Sequence, residues 1–131
     1  MSDPSPPSPP LPPVQRVLVT GAFGNIGRHA VRELCAAGHR VRALGHGARP
    51  SMEERALARS FGAPVEVVRG DVRDRAAMDR AVRDVDCVVH LAFVIPPPAL
   101  ERPALAQSVN VEGTRTVLAA ASAVTRPPRF L

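Results

Sequence analysis

The chain is 131 residues long, with a formal net charge of +5, 15 prolines, two cysteines and four aromatics, all Phe. That length holds one domain at most. Two distant cysteines exclude a disulfide scaffold and a cysteine-based metal site, and no apolar run approaches the roughly 20 residues of a bilayer span. All 17 basic residues are Arg. They alternate with Asp and Glu and form no stripe interleaved with aromatics, which speaks for solvated helix faces and against a nucleic-acid groove.

Residues 1–13 hold seven prolines and three serines. Such a segment cannot recover its ordering entropy, and a disordered, polyproline-like tail is expected. It lacks the basic start and apolar middle of a signal peptide, so the protein is expected to be cytoplasmic. Val17–Thr20 then reads as a buried strand that breaks into Gly21, Gly24 and Gly27. A helix follows, with Ile26, Ala30, Val31 and Leu34 on one face, and Gly38 ends it. Arg40–Leu44 is a second strand and Gly45–Pro50 a loop. Ser51 and Glu54 form a capping box that opens a short helix to about Phe61.

Val65–Arg69 is a third strand, and Asp74 caps a helix with Ala77, Met78, Ala81 and Val82 inward. A fourth strand runs from Asp86 to Ala92, Pro96–Pro98 makes a stiff loop, and a long helix fills Ala104 to about Ala123. Cys35 and Cys87 read as small buried hydrophobes. Apolar strands separated by helices imply an α/β fold over 14–131. Its parallel sheet would be doubly wound, of order 3-2-1-4-5, with a ligand across the carboxyl ends of the strands.

The first strand, glycine turn and helix together make a phosphate cradle. Gly21 turns the chain, Gly24 admits a pyrophosphate against bare backbone, and Gly27 packs helix on strand. Phe23, Asn25 and Ile26 complete the turn, and the helix start offers N–H groups and a partial positive charge. The other reading of such a run is a chance glycine turn.

The spacing is G-x-x-G-x-x-G opened by Thr20, and it resembles the extended short-chain dehydrogenase/reductase superfamily, specifically its NAD-dependent epimerase/dehydratase family. Three further places support the resemblance. Gly70-Asp71-Val72-Arg73-Asp74 is similar to the family's G-D-x-x-D step. There Asp71 would accept from the adenine amino group and Val72 pack on the ring; the alternative is an Asp that caps the next turn, a role Asp74 suits better. Val88-Val89-His90-Leu91-Ala92 is similar to V-x-H-x-A-A, with Phe93 in place of the second Ala. Leu91 and Ala92 would pass the cofactor ribose, and His90 would be a sheet-end or cofactor-lining residue, although an imidazole invites a catalytic reading. Asn110-Val111-Glu112-Gly113-Thr114 is similar to N-V-x-G-T, in which Asn110 braces the active-site end; Gly113 is explained there if close packing demands it.

The resemblance implies a Rossmann-type domain that binds NADP or NAD. For the cofactor form, no carboxylate follows the second strand until Glu53, and His46 and Arg49, with help from Arg28, could meet a 2′-phosphate. NADP is the form expected, unless Arg49 is an ordinary solvent-facing loop residue. The family's proton-transferring Tyr-x-x-x-Lys pair has no counterpart, because the chain has no Tyr and no Lys. No catalytic or metal-binding residue is therefore assigned.

Arg129-Phe130-Leu131 falls where a fifth strand should start. The chain is expected to be the cofactor-binding, N-terminal part of an epimerase, dehydratase or reductase. A small-molecule substrate and a homodimer are expected only of a longer form. The alternative is a non-catalytic NADP-sensing regulatory module. With the fifth strand missing, the fourth is expected to be a bare apolar edge, with Val109, Val117 and Leu118 partly wet.

Overall fold

The computed structural model describes residues 10, 13–62 and 65–131; apart from Pro10 and Pro13, the segment expected to be a disordered tail lies outside the described residues. Five strands alternate with helices: β1 Arg16–Thr20, α1 Asn25–Ala36, β2 Arg40–Gly45, α2 Met52–Ser60, β3 Val65–Arg69, α3 Arg75–Ala81 and β4 Cys87–His90. A helical turn α4 Pro98–Glu101, α5 Pro103–Gln107, a π-helical segment Ser108–Gly113, α6 Thr114–Ala123 and β5 Arg129–Phe130 complete the chain. The sheet is parallel and its order is β3-β2-β1-β4-β5.

Strand alternation divides the core into two layers. Leu18, Leu44 and Val88 face Met78 of α3 and Val117 of α6. Val17, Val19, Val41 and Ala43 face Val31 of α1 and Phe61. Strands covered on both faces must be apolar throughout, which is why they read as unbroken runs. Helices are stopped and started by local chemistry. At the end of α1, His39 N–H donates to the Leu34 carbonyl (3.0 Å) and Gly38 N–H to that of Cys35 (2.9 Å). Gly38 reaches this Schellman geometry at φ +86°. At α2, the Ser51 hydroxyl accepts from Glu54 N–H (3.0 Å), and the Glu54 carboxylate accepts from Ser51 N–H (3.1 Å). Asp74 accepts from Ala77 N–H at 3.2 Å to start α3. Cys87 is buried and Cys35 half-buried, and burial pushes both thiols up.

Four expectations need correction. β4 ends at His90, not Ala92, because the Thr20 hydroxyl captures the N–H groups of Leu91 (3.0 Å) and Ala92 (3.2 Å) and draws the chain out of the sheet. The segment expected as one regular helix from Ala104 is interrupted by the π-helical turns, and the proline loop before it already contains α4. In the widened stretch, the hydroxyls of Thr114 and Thr116 donate to the carbonyls of Asn110 (2.7 Å) and Glu112 (2.9 Å), competing with backbone N–H groups for them.

Ile26 does not share the buried face of α1; it is 70% exposed, because the first turn projects past the sheet. Finally, β4 is not a bare edge. Arg129 N–H donates to Asp86, Leu131 N–H to Val88 and His90 N–H to Leu131, all at 2.8–3.0 Å. Val117 is fully buried, whereas Leu118 is exposed and Val109 half-buried. Among the described residues no helix is long and apolar enough to cross a membrane.

Candidate functional site

The three glycines of the turn do three different jobs. Gly21 sits at φ +64°, and a side chain there would lie 2.6 Å from the Leu91 carbonyl oxygen. Its own carbonyl accepts from Gly24 N–H at 3.0 Å, closing the turn. At Gly27 a Cβ would stand 2.7 Å from the Gly21 carbonyl carbon and closer still to its oxygen, so helix and turn touch backbone to backbone. Gly24 differs: a Cβ there meets a single atom, the Gly21 carbonyl oxygen, at 3.3 Å. Open space lies beyond it.

Gly24 also precedes the first turn of α1 without any side-chain cap, and that turn holds no acidic residue. The N–H groups of Asn25, Ile26 and Gly27 have no acceptor inside the helix. The positive end of the helix is therefore free to meet an anion. None of Asn25, Ile26 and Gly27 lines the cavity below.

That cavity has a volume of about 670 Å³ and opens at the carboxyl ends of β1, β2, β3 and β4. Of the residues expected from the sequence, Gly21, Phe23, Gly24, His46, Asp71, Val72, Leu91 and Ala92 line it. Arg49 and Asn110 do not. The Arg49 carbonyl instead accepts from Arg69 at 3.1 Å. The Asn110 side chain grips Val94, accepting from its N–H (2.8 Å) and donating to its carbonyl (2.9 Å), and so braces the loop beyond β4. Gly113 is explained by packing, since a Cβ there would stand 2.7 Å from Cγ2 of Val72.

Three charged residues of the site escaped the sequence reading. Arg69, at the end of β3, donates to Glu54 (2.8 Å), Gly47 O (3.1 Å), Arg49 O and His46 O, wrapping the loop after β2 around its guanidinium. Glu54, seen at first as a helix cap alone, is thereby fixed on the cavity wall. Arg73 clasps Asp71 with two guanidinium nitrogens (2.6 and 2.9 Å) and its own N–H (2.9 Å). The Arg73 side chain beside it holds the Asp71 carboxyl below the usual range. No local pattern marks the Arg69 contacts, because their partners lie 15 to 23 positions away, whereas Arg73 and Asp71 are two apart.

A doubly wound parallel sheet with a bare glycine turn, an open helix N-terminus and a cavity at the strand ends defines a Rossmann-type nucleotide-binding protein. The model of the NAD dependent epimerase/dehydratase family matches residues 17–131, and the chain belongs to that family. It is similar to the (4-alkanoyl-5-oxo-2,5-dihydrofuran-3-yl)methyl phosphate reductase of Streptomyces griseus subsp. griseus, at 50% identity over 72 residues, 55% of this chain and 23% of that one.

It is also similar to the ceramide reductase of Caulobacter vibrioides, at 35% identity over 109 residues, 82% of this chain and 31% of that one. Among solved structures, the UDP-glucose-4-epimerase of Stenotrophomonas maltophila with bound NAD superposes with a TM-score of 0.72 at 28% identity, over 82% of this chain and 33% of that one. The chain thus spans a third or less of the length of these relatives.

Proposed function

We propose that the chain binds a nicotinamide dinucleotide as the nucleotide-binding portion of an epimerase, dehydratase or reductase. The observation that carries this is the pairing of bare Gly24 with an unneutralised α1 N-terminus at the mouth of the cavity. The pyrophosphate takes the N–H groups of Asn25, Ile26 and Gly27, the adenine lies on Asp71 and Val72, and the nicotinamide end reaches toward Leu91 and Ala92. The chain contains no Tyr and no Lys, so the proposal assigns it binding and assigns turnover to none of its residues. When bound, such a cofactor supplies hydride transfer.

The charges on the wall support NAD over the NADP suggested by the sequence. Arg69 and Arg73 already hold carboxylates, Glu54 and Asp71. A 2′-phosphate would therefore find only His46 among the charged or titratable lining residues without a carboxylate partner, and would approach the Glu54 carboxylate. A ribose 2′-hydroxyl can instead donate to Glu54, whose Oε2 already accepts from Ser51 N–H and Arg69. Calorimetry with NAD⁺ and NADP⁺ tests both levels of this reading. NAD⁺ is expected to bind more tightly. Glu54→Gln, which preserves the capping box, should shift the preference toward NADP⁺ by about tenfold. An unchanged ratio would overturn the ribose assignment, and failure to bind either dinucleotide would overturn the function.

A further inference from the structure

Two polar residues are buried among the described residues, Thr20 at 0% and His90 at 7% exposure, and they touch. His90 Nδ1 lies 2.7 Å from Thr20 Oγ1, and His90 Nε2 lies 3.0 Å from Thr114 Oγ1. Counting protons fixes the direction of every bond. The Thr114 hydroxyl is 2.7 Å from the Asn110 carbonyl, which can only accept, so its one proton points there. Nε2 must then carry hydrogen and donate to Thr114. Thr20 Oγ1 accepts from Ala92 N–H (3.2 Å) and from Leu91 N–H (3.0 Å), which it shares with the Thr20 carbonyl (3.3 Å), so both lone pairs are taken. Its own proton is left for Nδ1. All five bonds form together with a neutral ring protonated on Nε2.

We infer that His90, held in this one tautomer between Thr20 and Thr114, is the positioning residue that ties the ends of β1 and β4 to the start of α6, and through Thr114 to the π-helical segment, and so fixes the Leu91–Val94 wall of the cavity. The chain of contacts is continuous. Thr20 holds the first two residues of the wall, Thr114 closes on the carbonyl of Asn110, and the Asn110 side chain grips Val94. The same π-helical segment meets the adenine side of the cavity through the contact between Gly113 and Val72.

Protonation would break this arrangement. An imidazolium donates from both nitrogens, so Thr20 would face three donors with two lone pairs and its own proton would lose its acceptor. The groups facing the ring are Thr20 from β1, Thr114 from α6, Phe93 at 5.2 Å beyond β4 and Phe130 at 5.8 Å from β5; none is charged. Burial accordingly holds the imidazole below its ordinary value of 6.5. The folded chain therefore binds fewer protons than the unfolded chain between that lowered value and 6.5. The stability is complete above this window and is lost as pH falls through it.

Two-bond proton–nitrogen correlation spectra of the chain, titrated through the histidine range, test the inference directly. His90 should show the Nε2–H pattern and remain neutral as pH falls below 6.5. An Nδ1–H or exchanging pattern, or protonation at or above pH 6.5, would overturn it. The affinity test rests on the dinucleotide reading. Wild type should lose about tenfold in NAD⁺ affinity across the acid window, the scale of one net hydrogen bond. His90→Gln, which cannot titrate, should lose that step. An acid step that persists in His90→Gln would count against the inference. Absence of dinucleotide binding at every pH would sink the binding reading, while the spectra of the wild-type chain would still decide the tautomer.

Discussion

Gly27→Ala is expected to destabilise the domain by about 3 kcal/mol or more, enough to leave much of the chain unfolded. The added methyl would collide with the carbonyl group of Gly21 and stand 2.9 Å from Cα of Ala22, all of it backbone. A flexible side chain could swing away from such a clash; a peptide group in a turn closed by the Gly24 N–H to Gly21 carbonyl bond cannot. Gly21 cannot give way either, because its position at φ +64° is fixed by the approach of Leu91 from the other side. Relief would require α1 to lift off β1, uncovering Val31 and the layer formed by Val17, Val19 and Val41. Burying one such side chain contributes about 1.5–3 kcal/mol, so even partial lifting is costly. Urea unfolding of wild type and variant side by side measures the effect. Matching midpoints and slopes would show that helix and turn are not in backbone contact.

The elements that could be read from the sequence are those whose cause is local. Ser51 and Glu54 announce α2 because the capping box is completed within four residues, and Gly38 ends α1 through bonds that reach back five positions at most. The apolar strands and their order follow from burial on both faces and from the handedness of crossovers, which constrain all parallel sheets alike. The turn of glycines was legible for the same reason, Gly21 turning the chain and Gly27 packing the helix against it, while a Cβ at Gly24 would meet a single atom.

What was not legible depends on meetings between distant residues. Glu54 belongs to a helix cap in sequence and to the cavity wall in space, and it takes Arg69, 15 positions on, to connect the two. Arg49, expected to face a 2′-phosphate because it follows β2, does not line the cavity, and the loop it belongs to is organised by Arg69, whose guanidinium is paired with Glu54. Ile26 satisfies helical periodicity but is 70% exposed. The end of β4 depended on a hydroxyl 71 residues earlier, since the apolar run itself continues past His90. The π-helical segment likewise has no periodic signature; threonines bonded back onto carbonyls mark it only once the helix is built.

Gly24→Val should show the reverse of Gly27→Ala: a folded chain that has lost about a hundredfold in dinucleotide affinity. Gly24 lies at φ −76° and ψ 176°, an extended conformation that a β-branched residue adopts readily. Its Cβ would meet the Gly21 oxygen at 3.3 Å, a contact relieved by a shift of a few tenths of an ångström. Loss of a favourable cap residue costs about 1 kcal/mol, so the fold survives. The ligand is affected far more. Two methyl groups would stand in the space before the N–H groups of Asn25, Ile26 and Gly27, where a pyrophosphate must come within hydrogen-bond distance. Holding it even slightly farther out forfeits charge-assisted bonds, each worth about 1.5–3 kcal/mol, and a hundredfold corresponds to about 2.7 kcal/mol. Gly24→Ala, with a single methyl, should fall between wild type and Val. Calorimetric titration with NAD⁺, beside thermal melts showing that all three chains fold, reads the result. Equal affinities across the three would mean that the pyrophosphate does not lie at this turn, whatever the rest of the cavity binds.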